Sequence, residues 1–460
     1  MTLDRAKSEL DRPIESRADL VDYFRAGEKP RDAWRVGLEH EKLGLRAGDA
    51  SLLPYDGERG IEALLHALAA SDRWKTVHEA GRLVALDLDG ASVTLEPGGQ
   101  LELSGRPAGT IHEIAEELRR HLAQVRAASE PFDVAWLAVG AQPFHPTDAL
   151  PRMPKERYRI MREYLPTRGA LALDMMHATA SVQASFDYAD EADMIAKLRT
   201  ALALQPVVSA LFANSSLYRS GPSGFVSRRM HIWRQTDPAR CGGLPFAFEE
   251  GFGYARYAEW ALDVPMFFLV RDGRYTPLHG MTFRDFLLHG ADGERATLAD
   301  FDRHLTTLFP DVRLKRLLEM RGADAVSEDL VCAVPALWKG LLYDDAARAA
   351  AWALAADAAF PERTALYEAV ARRGLAGRVG GGPGGREWPV LDCAREVVGI
   401  ATEGLRRLAA RDAAGRDERV YLDPLHVLLE DGRSPGQRLQ ERWEGEWERR
   451  PERLIAATRY

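Results

Sequence analysis

The chain has 460 residues, of which 46% are hydrophobic and 28% are charged, and its net charge at pH 7 is −8. These values are typical of a globular protein with a sizeable core, in one elaborate domain or in about two to three ordinary ones. The negative charge argues against a general polyanion binder, so we expect no nucleic-acid partner. The chain has three cysteines, Cys241, Cys332 and Cys393. An odd number without a CxxC pair argues against a disulfide framework and favours a reducing compartment.

Neither a secretory leader nor a membrane span is expected from the sequence. The opening stretch MTLDRAKSELDRPIES alternates charges and contains no apolar run of the signal-peptide kind. A membrane span needs about 18 apolar residues in a row, and the alanine-rich run 346–360, which comes closest, is interrupted by charges. By elimination, we expect a cytoplasmic protein.

Strand-like runs dominate the first part of the chain. Ser16 and Asp19 form a capping pair that predicts a helix, and the run 34–45 is typical of a strand. Residues 59–70 have helical spacing. Three short strand-like runs joined by glycine-containing turns then predict an antiparallel meander. These runs are 82–90, 92–97 and 100–105.

The middle of the chain mixes both kinds of element. Thr110 with Glu113 predicts the start of an amphipathic helix. The run 133–144 is typical of a buried strand leading into a proline-containing loop, and 178–188 alternates as a strand does. The apolar segment 191–218 predicts a long helix that is bent or broken near Pro206. Further along, the sequence predicts a loop at SRRMHIW, 227–233, and a hairpin over 264–278. Helical spacing returns from residue 282, and 313–322 contains the short run LKRLLEMRG.

From about residue 327 onward the pattern is nearly all helical. The glycine-rich run 380–385 is predicted to be a loop between helices, because no Lys-Ser or Lys-Thr follows it as a phosphate-binding loop requires. Strands therefore concentrate in 30–325 and helices in 326–460. This distribution predicts an α+β protein whose helices are segregated from a mostly antiparallel sheet.

The stretch GLEHEKLGL places two glutamates on one face of the first strand. Residues two apart in a strand share a face, so Glu39 and Glu41 point the same way, with backbones about 6.6 Å apart. At an effective dielectric near 20, like charges at that distance repel by about 2.5 kcal/mol. A solvated face makes this repulsion unimportant, whereas a cleft requires a cation or a proton to offset it.

A second acidic cluster lies in TLEPGGQLELSG. Gln100 and Glu102 share a face of one strand, and the Pro-Gly-Gly turn can bring Glu96 close to it. The acidic pair Glu96 and Glu102 fits either a solvated face of the sheet or a wall of carboxylates continuous with the first cluster. Such a wall suits Mg²⁺ or Mn²⁺, which prefer oxygen ligands, better than zinc, because no His/Cys cluster has zinc-ligand spacing.

Charged residues of opposite sign recur in two later motifs. In LEMRGAD, Glu319 and Arg321 share a face if this segment is extended. They then form either a simple ion pair or a metal ligand beside a phosphate-stabilising cation. In SRRMHIW, Arg228 and Arg229 either clamp a substrate carboxylate or are solvated. The isolated histidines are expected to be structural; they are His177 and His231.

Long motifs of the chain resemble the glutamate–cysteine ligase family, in the branch shared by plants and proteobacteria. They are GLEHEKLGL, LEPGGQLELSG, MPKERYRIMREYLP, LDMMHATASVQASF, ALALQPVVSALFANS, SRRMHIW and EMRGAD, in order, and the likeness runs from about residue 12 to Tyr460. The resemblance implies a glutamine-synthetase-like catalytic fold, with a curved antiparallel sheet forming a half-barrel, in a single domain covering 1–460. It also implies ATP-dependent joining of the γ-carboxyl of L-glutamate to the amine of L-cysteine, the first step of glutathione synthesis.

The resemblance also implies roles for individual residues and two or three bound Mg²⁺ ions, with Mn²⁺ as a possible substitute. The expected metal ligands are Glu39, Glu41, Glu96, Glu102, Gln183 and Glu319. Arg321 resembles the arginine that faces the transferred phosphoryl group. The expected substrate-binding residues are Arg229, Trp233, Met175 and Met176. We expect no membrane partner, and either a monomer or a homodimer.

One departure and two alternatives accompany this interpretation. Plant members have a cysteine where this chain has Ala180, so a plant-type redox disulfide is not expected here. One alternative is a related carboxylate–amine ligase that uses another amine acceptor. The other is a non-catalytic paralogue that binds nucleotide, although such a protein would be expected to lose its acidic residues, and all five are present.

Overall fold

A large antiparallel sheet organises the computed structural model, which describes residues 10–379 and 388–460. Its strands are β1 Val36–Arg46, β2 Lys75–Glu79, β3 Arg82–Leu88, β4 Ala91–Leu95, β5 Leu101–Ser104, β6 Val134–Leu137, β7 Ser181–Phe186, β8 Val312–Leu314 and β9 Leu318–Asp324. They are arranged in the order β8-β9-β7-β1-β5-β4-β3-β2, and β6 pairs with the second half of β1. Shorter strands pair off this sheet: Leu217–Tyr218 with Gly221–Pro222, Cys241–Gly242 with Phe309–Pro310, Phe268–Arg271 with Arg274–Pro277, and Arg378–Val379 with Trp388–Pro389.

Helices surround the sheet and fill most of the chain after it. Those before residue 325 are α1 Arg17–Arg25, α2 Ile61–Ala69, α3 Ile111–Ser129, α4 Glu156–Tyr164, α5 Ala172–Ala178, α6 Glu191–Leu211, α7 Arg228–Arg234, α8 Tyr254–Asp263, α9 Phe283–His289 and α10 Leu298–Leu305. Those after it are α11 Glu328–Val331, α12 Ala333–Leu342, α13 Asp345–Ala353, α14 Phe360–Arg373, α15 Val390–Leu408, α16 Asp423–Asp431, α17 Pro435–Glu444 and α18 Pro451–Thr458.

The alternation of β1 and β5 separates an apolar face of the sheet from a polar one. In β1, Leu38 is buried while its neighbour Glu39 keeps some exposure, and Leu101 and Leu103 of β5 repeat the pattern. The apolar face is covered by α3 and α12, which pack against β1. The opposite face is therefore left to carry the polar side chains.

Two helices differ from the sequence expectations. The helix predicted over 191–218 is α6, which ends at Leu211 and continues through Pro206 without a break. Burial of nearly all its second half outweighs the local cost of proline. By length and composition α6 could cross a membrane, but 83% of that window is buried inside the protein, as in a core helix.

The prediction of a loop at SRRMHIW is wrong, because this segment forms α7. Ser227 precedes the helix and its hydroxyl accepts a hydrogen bond from the backbone N–H of Met230, which satisfies a donor of the first turn. The expected strand at 133–144 shortens to β6, and β2 is an exposed strand that the sequence did not indicate. The predicted loop at 380–385 lies outside the described residues.

Candidate active site

The strand register brings the acidic clusters together on the polar face of the sheet. Glu41 of β1 lies opposite Glu102 of β5, and Glu39 of β1 lies opposite Gln183 of β7. Glu319 lies on β9, the next strand beyond β7, and Glu96 directly follows β4 on the other side. Carboxylates from neighbouring strands thus form one continuous wall.

This wall is the floor of a cleft with an empty volume of about 910 Å³. Ten of the eleven residues predicted for the site line it: Glu39, Glu41, Glu96, Glu102, Met175, Met176, Gln183, Arg229, Trp233 and Arg321. The remaining residue, Glu319, is buried and contacts Arg321 and Arg313, which both line the cleft.

The Pro-Gly-Gly turn between β4 and β5 closes one end of the cleft. A Cβ atom at Gly98 would lie 2.1 Å from the carbonyl oxygen of His177, so the turn packs directly on α5. Gly99 has a φ of +84°, which favours glycine. This close approach puts Met175 and Met176 of α5 beside the carboxylate wall.

Burial and mutual repulsion raise the pKa of four glutamates on the cleft floor. Burial raises the pKa of Glu41 to about 7, and the charge of Glu102 adds to the effect. Burial and the charge of Glu96 likewise raise the pKa of Glu102 to about 7. The pKa values of Glu39 and Glu96 are also raised, first by burial. Such a group of carboxylates would be stabilised by a cation.

Glu319 differs from the other four glutamates because arginines surround it. Although burial opposes this, the adjacent Arg313 and Arg321 lower the pKa of Glu319 to about 2. Arg313 lies opposite Glu319 in the β8–β9 pair and donates to its two oxygens at 2.7 and 2.9 Å. Arg321 also contacts Glu319 and donates to Oε1 of Gln183 at 2.6 Å.

Arg229 and Trp233 share one face of α7, one helical turn apart, and both reach the cleft. The guanidinium of Arg229 is buried and donates from Nη2 to the carbonyl oxygen of Arg321 at 3.0 Å. Its Nε has no hydrogen-bond partner in the described part of the chain. The Nε atom is enclosed by protein, but Arg229 as a residue lines the cleft, so its side chain supplies positive charge that suits an anionic group there.

The structure adds residues that the sequence did not single out. Ser181 donates from its backbone N–H and its hydroxyl to Oε2 of Glu41, at 2.6 and 3.0 Å. Tyr158 of α4 donates to Oε1 of Glu96 at 3.1 Å, and Arg157 lines the cleft beside it. The hairpin spacing of Arg313 and Glu319 could have revealed the arginine, whereas α4 reaches the site only through the tertiary fold.

The remaining candidates lie away from the cleft floor. Arg228 donates to Oδ1 of Asp174 at 2.6 Å and stacks over the ring of Tyr218, so it does not act with Arg229 as a clamp. His231 stacks on Phe225. Neither Arg228 nor His231 is among the residues that line the cleft.

The donor set fits hard cations, although the side chains stand apart. Among residues 10–379 and 388–460, no three His, Cys, Asp or Glu side chains converge closely enough to hold one metal ion. The oxygen-only donors and the raised pKa values nevertheless match the preferences of Mg²⁺ and Mn²⁺.

Comparison with known proteins decides the family. The model of glutamate–cysteine ligase family 2 matches residues 35–455. The chloroplastic glutamate–cysteine ligases of Medicago truncatula and Arabidopsis thaliana are 43% and 42% identical over 94% of this chain, which covers 83% and 80% of their lengths. The chain belongs to glutamate–cysteine ligase family 2.

The three-dimensional comparison confirms the expected fold. The chain is similar to the crystal structure of a glutamate–cysteine ligase from Francisella tularensis in complex with AMP, with a TM-score of 0.57. The likeness covers 92% of this chain and 87% of the other at 12% sequence identity. The α+β, glutamine-synthetase-like fold is therefore confirmed.

Family membership confirms the expected activity and corrects the expected location. The protein is an ATP-dependent ligase that forms γ-glutamylcysteine from glutamate and cysteine, the first step of glutathione synthesis. The expectation of a cytoplasmic location is wrong, because curated relatives similar to this chain, including the two named above, are chloroplastic proteins. Charge alternation at the N-terminus was not a sufficient guide to compartment.

Proposed function

We propose that the carboxylate-floored cleft is where the ligation takes place, through a γ-glutamyl phosphate. The observation that carries this proposal is the wall of mutually repelling glutamates ending at a pair of arginines, Arg313 and Arg321. A carboxylate is a poor acyl donor at neutral pH, so it must first be phosphorylated. Both the carboxylate and the phosphoryl group are anionic, and a site for their reaction must supply positive charge.

We propose that the glutamates of the cleft form two Mg²⁺ sites, according to which charged groups most affect the pKa of each one. We assign Glu39 and Glu319 to one site, because Glu319 has the largest effect among the charged groups on the pKa of Glu39. We assign Glu41, Glu102 and Glu96 to the other, because Glu102 faces Glu41 across the β1–β5 pair and Glu96 has the largest effect among the charged groups on the pKa of Glu102. When bound, Mg²⁺ would neutralise the phosphates and polarise the transferred group. Gln183 lies between the groups, opposite Glu39.

We assign the positive groups to the two substrates. Arg321 and Arg313 are held by Glu319 with their guanidiniums lining the cleft, where they can face the phosphoryl group during transfer. We assign the side chain of Arg229, which lines the cleft, to the α-carboxylate of glutamate; its Cζ lies 5.8 Å from the centroid of the Trp233 ring beside it. Met175 and Met176 supply an apolar wall that keeps water from the acyl phosphate.

The reaction then proceeds in two displacements. An oxygen of the γ-carboxylate attacks the terminal phosphorus of ATP, and ADP leaves. The amine of cysteine attacks the resulting acyl carbon, loses a proton, and phosphate leaves with the oxygen that came from glutamate. We further propose that one catalytic unit spanning 1–460 carries out both steps, because strands from residues 36 to 324 share the sheet and later helices such as α12 pack against it.

The metal role is tested by comparing Glu41→Ala with Glu396→Ala. Glu41 lies on the cleft floor, whereas Glu396 is exposed on α15. We expect Glu41→Ala to lose most ADP release at every Mg²⁺ concentration, and Glu396→Ala to behave as the wild type. Wild-type turnover and Mg²⁺ dependence in Glu41→Ala would remove this residue from the metal site.

A further inference from the structure

A buried carboxylate lies directly behind the arginine assigned to glutamate. Asp324 is the last residue of β9, three positions after Arg321, and only 1% of its surface is exposed. Its Oδ1 lies 3.7 Å from Nη1 of Arg229. Asp324 itself is not among the residues that line the cleft.

Asp324 also receives hydrogen bonds from two places in the chain before α7. Its Oδ2 accepts from the backbone N–H of Asn214 and the hydroxyl of Ser215, both at 2.7 Å. Its Oδ1 accepts from the hydroxyl of Ser227 at 3.1 Å. Three donors and one guanidinium thus converge on this carboxylate.

The two serines pass this interaction on to the first turn of α7. Because each hydroxyl donates its hydrogen to Asp324, its lone pairs are free to accept. Ser215 accepts from the backbone N–H of Arg229 at 3.0 Å, and Ser227 accepts from the N–H of Met230 at 3.1 Å. Asp324 therefore fixes both the backbone and the guanidinium of the helix residue that reaches the cleft.

We propose that Asp324 is a positioning residue for glutamate binding, which locks Arg229 on α7 in register with Arg321 on β9. Nη2 of Arg229 also donates to the carbonyl oxygen of Arg321. The residue assigned to the α-carboxylate is thereby held against the strand that carries Arg321, the residue assigned to the phosphoryl group. This inference rests on the proposed function of Arg229. Asp324 acts through Arg229 and does not touch substrate.

The test uses Asp324→Asn, which keeps the shape but removes the charge and replaces one acceptor by a donor. We expect the KM for glutamate to rise at least about tenfold while the KM for ATP stays within about twofold, since the change acts on one substrate. Ser215→Ala removes one arm of the network and should shift the same KM in the same direction. If Asp324→Asn yields no folded protein, Ser215→Ala decides the question.

Two comparisons separate positioning from general structural damage. Asp187 is also buried and paired, with Lys29 at 2.7 Å, but does not line the cleft, so Asp187→Asn should leave the glutamate KM unchanged. In an Arg229→Ala background, Asp324→Asn should raise the glutamate KM little further, because the residue through which it acts is gone.

The possible outcomes are distinct. An unchanged glutamate KM in the folded Asp324→Asn protein, or equal rises in the KM for glutamate and ATP, would overturn the inference. Full additivity with Arg229→Ala would also overturn it. A wild-type protein that forms no γ-glutamylcysteine would instead refute the proposed function, so the two failures are distinguishable.

Discussion

Replacing Glu102 by glutamine should stabilise the metal-free protein while damaging the enzyme. Burial, together with the charge of Glu96, raises the pKa of Glu102 from 4.5 to about 7. The folded state therefore holds a proton that the unfolded chain releases between these two pH values. Stability contributed by this group falls as pH rises through that window, and the loss is complete above about pH 7.

The size of the effect follows from the pKa difference. A pKa raised from 4.5 to about 7 corresponds to about 3 kcal/mol of lost stability at alkaline pH. In Glu102→Gln this ionisation is absent. We therefore expect the variant to be more stable than the wild type by about 1 to 3 kcal/mol at about pH 8, and equal to it at about pH 4.5.

Urea unfolding in the presence of EDTA, at both pH values, measures this difference. Glu396→Gln on the exposed face of α15 is the matched control and should change nothing at either pH. Added Mg²⁺ should stabilise the wild type, by about 2.7 kcal/mol at a hundred times its Kd, and should stabilise Glu102→Gln less. A variant that is no more stable than the wild type at about pH 8 without metal would refute this reasoning.

Three further predictions concern the arginines and the turn. Arg229→Ala should raise the KM for glutamate at least about tenfold with little change for ATP, because it removes the donor assigned to the α-carboxylate; an unchanged glutamate KM in steady-state assays would exclude that role. Arg313→Gln should raise the pKa of Glu319 from about 2, since a cation that lowers it is lost, and reduce kcat as Arg321 alone pairs with Glu319; an unaltered kcat would count against this arrangement. Gly98→Ala should lower the free energy of unfolding by about 1 to 3 kcal/mol, because its methyl group would meet a carbonyl oxygen at 2.1 Å. The control Gly399→Ala lies in α15 with open space around it and should raise stability by up to about 1 kcal/mol; equal effects of the two changes in urea unfolding would be contrary to expectation.

Local periodicity was enough to predict the acidic face of the site. Because side chains alternate in a strand, Glu39 and Glu41 had to point the same way, and the structure places both in the cleft. The meander of β3, β4 and β5 was also predictable, since its turns contain glycine at Gly90 and Gly99. In both cases the determining information lies within a few residues.

Other features depend on contacts that a single sequence does not reveal. Pro206 was expected to interrupt a helix, but burial of α6 against β9 maintains it. Arg157 and Tyr158 reach the cleft because α4 packs across it, about sixty residues after Glu96. Ser227 does carry a local signal, since serine before RRM is a good helix N-cap and favours a helix start over a loop at this position.

Oxygen transfer from glutamate to phosphate tests the central claim most directly. The wild-type protein would be incubated with Mg²⁺, ATP, cysteine and glutamate carrying ¹⁸O in its γ-carboxylate, and the products analysed by mass spectrometry. An acyl-phosphate route predicts γ-glutamylcysteine formation with one ¹⁸O atom delivered to each phosphate released. γ-Glutamylcysteine formed with unlabelled phosphate would contradict the acyl-phosphate route, and ADP release without γ-glutamylcysteine would contradict the ligation itself.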